Sequence, residues 1–81
     1  MSEVEKQDGL RIVAANIRRL RREHHLTQTE LAEAVGLTAG RISQIEGGEV
    51  DLPTGKLIEI ANALGEPPDM LLRPEKVAMS A

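Results

Sequence analysis

Glycines at positions 36, 47–48 and 65 cut this chain into short segments, and within each segment apolar residues recur at helical spacing. That punctuation constrains the fold more than any other feature. No segment alternates apolar and polar side chains as a half-buried strand does, and no Asn-Gly or Asp-Gly pair lies between two apolar runs. The first stripe, Leu10, Val13, Ala14, Ile17 and Leu20, predicts an amphipathic helix over about 8–24 with Asp8 as its N-cap. Ile12 falls off that stripe, available to a partner. A second helix is expected at 27–35: Thr27-Gln-Thr-Glu30 has the form of a capping box, Leu31, Ala32 and Val35 turn inward, and Gly36 ends it. Thr38 caps a third over 38–46, with Ile42 and Ile45 buried and Gly47-Gly48 as its stop. Pro53 opens a fourth over 53–64, with Leu57, Ile60, Ala61 and Leu64 on one face and Gly65 beyond. A short fifth is expected at 68–73, between Pro67-Pro68 and Pro74.

The expected architecture is therefore all-α, a five-helix domain over 8–73 with flexible segments at 1–7 and 74–81. At 81 residues the chain has room for one domain. A domain this short buries only about 60% of the surface its unfolded chain exposes. With no Trp, Tyr, Phe or Cys, its core must be aliphatic, and disulfides and thiolate metal sites are excluded. The polar, acidic N-terminus lacks a signal-peptide pattern, and no apolar run approaches the ~20 residues that cross a bilayer. A cytoplasmic location without membrane contact is expected.

Charge alone does not point to a partner. The formal balance is −3, from 10 Lys+Arg against 13 Asp+Glu, whereas nucleic-acid-binding domains are usually basic. Its distribution is uneven, however. Arg11, Arg18, Arg19, Arg21 and Arg22 fall within 11–22 with no acid among them. Such a run is as readily a solvated helix face as a binding surface. The acids gather at the N-terminus, in Glu46-Gly-Gly-Glu-Val-Asp51 and toward the C-terminus.

Catalysis has little support. His24 and His25 are adjacent, so on a helix they diverge by ~100° and cannot form an i, i+4 metal pair. They read instead as helix-end residues near the negative end of the dipole. No glycine-rich phosphate loop follows a strand. No catalytic residue, metal or cofactor is expected.

Residues 28–45 form the informative unit. Two helices meet through a very short turn holding Gly36, small Ala32 sits where they cross, and Ile42 and Ile45 pin the second against the first. This is the helix-turn-helix pattern. Over about 17–72 the chain resembles the phage repressor and Cro family, the xenobiotic-response-element class of regulators. The resemblance is carried by Ile17-Arg-Arg-Leu-Arg-Arg22, Leu26-Thr-Gln-Thr-Glu-Leu-Ala32, Val35-Gly36, Ile42-Ser-Gln-Ile-Glu46, Gly48 and Ile60-Ala-Asn-Ala-Leu-Gly65.

The resemblance implies a lambda-repressor-like fold and a sequence-specific regulator, a repressor by family habit, that binds double-stranded DNA. Its third helix would enter the major groove, with Ala39, Gly40, Arg41, Ser43 and Gln44 toward base edges. Gln44 suits adenine and Arg41 suits guanine or a phosphate. Ala39 and Gly40 depart from relatives that carry polar side chains there. Thr27, Gln28, Thr38 and Lys56 would hold phosphates, while Glu49 and Asp51 replace the basic residues common after the recognition helix. Arg21 and Glu46 would form a structural salt bridge rather than touch DNA. A homodimer on a near-palindromic operator is implied, with Ile58, Met70, Leu71 and Leu72 as interface candidates shared with the core. The alternative is a protein-interaction or antitoxin-type module built on the same fold and gripping a second protein.

Overall fold

The structure, a computed structural model, describes residues 3–74 and the side chains of 8–74; the expected tail at 75–81 lies outside the described residues. Among the described residues there are α-helices α1 (Glu3–Glu23), α2 (Gln28–Ala34), α3 (Ala39–Glu46) and α4 (Thr54–Ala63), then a 3-10 helix, Pro68–Leu71, and no strand. The all-α expectation holds, but the fifth helix is a single 3-10 turn. Pro67 and Pro68 supply no backbone N–H, and Pro74 follows within a few residues, so there is no length in which an α-helical ladder can propagate. The first helix also differs from expectation. It starts at Glu3, which places Asp8 in its interior and removes the capping role assigned to it.

The inner helices begin as their threonines predict. Thr27 Oγ1 accepts from Glu30 N at 3.0 Å while Glu30 Oε1 accepts from Thr27 N at 2.8 Å, a complete capping box. Thr38 Oγ1 accepts from Arg41 N at 3.1 Å. Between them Gly36 takes φ +69°, and Leu37 N donates to Ala32 O at 2.9 Å, the bond that closes a left-handed helix end. α1 ends the same way without a glycine. His25 takes φ 58°, with Leu26 N donating to Arg21 O and His25 N to Arg22 O, both at 3.0 Å.

Packing follows the stripes. Ile17, Leu20, Leu31, Ile42, Ile60, Leu64 and Leu71 are fully buried in one cluster to which every element contributes. Burying each such aliphatic side chain contributes about 2 kcal/mol. α2 lies closest to α3, with Ala32 at 2% exposure where they meet, and α1 packs across α3. α4 and the 3-10 turn close the far side. The C-terminal apolar residues divide accordingly: Leu71 is core, Met70 half-buried, and Ile58 and Leu72 exposed.

Candidate nucleic-acid interface

With Ile42 and Ile45 buried, α3 turns its other side to solvent. Gly40, Arg41, Ser43, Gln44 and Gly47 are exposed and Ala39 is half-buried. Arg41 Nη1 donates to Gln44 Oε1 at 3.2 Å, so the two longest side chains of this row brace each other one turn apart. That contact occupies the Gln44 acceptor and leaves its amide N–H groups and most of the Arg41 fork facing outward.

The far end of α3 is tied to both preceding helices. Arg21 Nε donates to Glu46 Oε2 at 2.6 Å and Arg21 Nη2 to Glu46 Oε1 at 3.1 Å, a bidentate pair. Arg21 Nη1 also donates to Leu26 O at 2.7 Å, in the turn before α2. Gln28 Nε2 adds a bond to Glu46 Oε1 at 3.2 Å. Both charged residues are buried, each at 9% exposure. The hydrogen bond to Glu46 holds the Arg21 guanidinium above its ordinary pKa, burial opposing it and the charge of Glu46 assisting.

The expected phosphate residues do not all face one way. Thr27 and Thr38 are exposed at the starts of α2 and α3. Gln28 is half-buried and engaged with Glu46. Lys56 points elsewhere: its Nζ donates to Val35 O at 2.8 Å and pairs with Glu59 Oε2 at 3.1 Å. Its ammonium serves the carbonyl at the end of α2 rather than standing free.

Sequence reasoning passed over Asn16. It is 1% exposed, and its Nδ2 donates to Leu71 O at 2.9 Å and to Arg73 O at 2.7 Å. Its Oδ1 accepts from Arg19 Nη2 at 3.2 Å. One side chain on α1 thus fastens the C-terminal turn. The available signal was its position between Val13 and Ile17 on the inward side of the stripe.

Comparison with known proteins agrees with this geometry. Among solved structures, the chain is similar to a hypothetical transcription factor from Neisseria, at 28% identity and TM-score 0.82, over 93% of this chain and 86% of that one. It is similar to the clp gene regulator ClgR of Corynebacterium glutamicum, at 28% identity and TM-score 0.76, over 78% and 67%. The restriction-modification controller protein C.AhdI of Aeromonas hydrophila matches at 26% identity and TM-score 0.76, over 80% and 94%. No curated protein matches the chain significantly. The model of the Helix-turn-helix family (HTH_3) matches residues 17–71, from the middle of α1 through the 3-10 turn, and the chain belongs to that family.

Proposed function

We propose that the chain is a sequence-specific, double-stranded-DNA-binding transcription regulator that inserts α3 into the major groove. The observation that carries this reading is the pairing of an exposed row, Gly40, Arg41, Ser43 and Gln44, with a far end anchored by Arg21, Gln28 and Glu46. Membership of a helix-turn-helix family supports it, as do structural neighbours described as a transcription factor, a gene regulator and a controller protein. Arg41 meets guanine or a phosphate, and Gln44 meets adenine once it releases Arg41. Ala39 and Gly40 allow close approach rather than hydrogen-bonded readout. Thr27, Gln28 and Thr38 flank the row and contact phosphates. Lys56 is left out of that set because Val35 and Glu59 already occupy it.

Two copies act together on a near-palindromic operator, with half-sites about 34–36 Å apart. Ile58 and Leu72, 42% and 56% exposed, supply apolar contact surface. Repression is the expected direction of control.

The test is selection of bound duplexes from a random pool by the wild type and by Gln44→Ala. An inverted-repeat motif, relaxed at one position per half-site in the variant with a cost of roughly 1–3 kcal/mol, is the expected result. Absence of any motif, with no duplex binding even at low salt, overturns the reading. The net charge of −3 and the short side chains at 39 and 40 would then direct the search to a protein partner of antitoxin type. Sedimentation checks the dimer: Leu72→Glu should shift it toward monomer.

A further inference from the structure

Beside the row on α3, an open groove of about 710 Å³ lies between α1 and the end of α3, with Ala14 and Ala15 on one side and Gly47 on the other. Arg11, Arg18, Arg19 and Arg22 line it. Arg19 is tied to Glu23 at 3.2 Å and to Asn16. Arg11, Arg18 and Arg22 are exposed, and none of their guanidinium groups makes a hydrogen bond or ion pair with any described residue. The acids that line the same groove are already engaged, Glu46 by Arg21 and Gln28, and Glu23 by Arg19. Glu49 opposes the arginines from the Gly47 side, where a Cβ added to Gly47 would lie 2.7 Å from its Oε2.

Positions 11, 18 and 22 recur on one side of α1 and span about 16 Å of its axis. That compares with a rise of about 3.4 Å per phosphate along one DNA strand. Like charges gathered on one helix face repel one another, and a row of anions relieves that repulsion. The alanines leave room for a phosphate to approach. Gly47 belongs both to this groove and to the exposed row of α3, so a duplex seated on that row has a strand within reach of α1.

On the reading above, in which α3 enters the major groove, we infer that the Arg11–Arg18–Arg22 face is a second DNA contact surface. It clamps the phosphate backbone flanking the bases that α3 reads. It supplies on the α1 flank the cations that Asp51 does not offer beyond α3, and it does so without reading sequence.

The experiment compares wild type with Arg11→Gln/Arg18→Gln/Arg22→Gln on the selected duplex and on one of random sequence, across a range of salt concentrations. Three lost phosphate contacts should make the slope of log K against log salt shallower by about 2.7, equally on both duplexes and with base preference unchanged. The Arg→Lys triple variant should keep the wild-type slope, and Glu49→Gln should tighten binding to both duplexes. An unchanged slope in a glutamine variant that melts like wild type overturns the inference and leaves the DNA reading intact. No binding by wild type at low salt overturns that reading as well.

Discussion

The α2–α3 unit and the C-terminal unit of α4 and the 3-10 turn are both held in place, but by different means. α2 and α3 each open on a threonine whose side chain closes the first turn. α4 and the 3-10 turn open on Pro53 and Pro67, with no side-chain cap. Their order comes from a distance: Asn16 reaches Leu71 and Arg73 across 55 and 57 positions, and Leu71 is fully buried. The starts of α2 and α3 are specified by their own neighbours, whereas the C-terminal turn is fastened from across the fold.

The comparison can be broken first at Glu46. Glu46→Ala leaves Arg21 buried without its partner and should cost about 3–5 kcal/mol in urea unfolding. Arg21→Met/Glu46→Leu should recover most of that stability, because two apolar side chains replace a pair whose net worth is small. Asn16→Ala should cost about 2 kcal/mol by depriving the buried Leu71 carbonyl of its donor. Hydrogen exchange should place that loss in the 3-10 turn, with α2 and α3 still protected. Thr27→Ala and Thr38→Ala should each cost about 1 kcal/mol, and the exchange loss should fall on α2 or α3 while the C-terminal turn is spared. The smallest effect sharpens the contrast at the end of α1. His25→Gly should raise stability by about 0.5 kcal/mol, since relief of a left-handed backbone outweighs the entropy glycine adds to the unfolded chain.

Which parts of this were legible in the sequence follows the same division. Thr27, Glu30, Gly36 and Thr38 act within a few residues of themselves, so their spacing alone announces the helix ends they make. The buried stripe of α3 was equally readable because helical period fixes which side Ile42 and Ile45 occupy. Arg21 and Glu46 were named only through resemblance, since nothing local distinguishes a buried arginine from the exposed ones beside it. Asp8 misled because a good capping residue also tolerates a helix interior when the chain before it continues the helix. Lys56 was named from its place near a helix start, where a lysine is equally within reach of the preceding helix's last carbonyl, the partner it takes here. The short last element was counted as a fifth helix because an apolar run between prolines does not reveal whether a ladder can propagate there.

Glu46 is the last residue of α3 and is gripped from α1 and α2 at once, while Thr38 secures the other end. A rod fastened at both ends has little freedom to roll about its own axis. On the DNA-binding reading, the protein then behaves as a stiff template, and the duplex is the member that must yield to it. Base-pair steps that kink or narrow at low cost would bind more tightly even at positions no side chain touches. Part of this chain's selectivity would lie in the mechanics of its target.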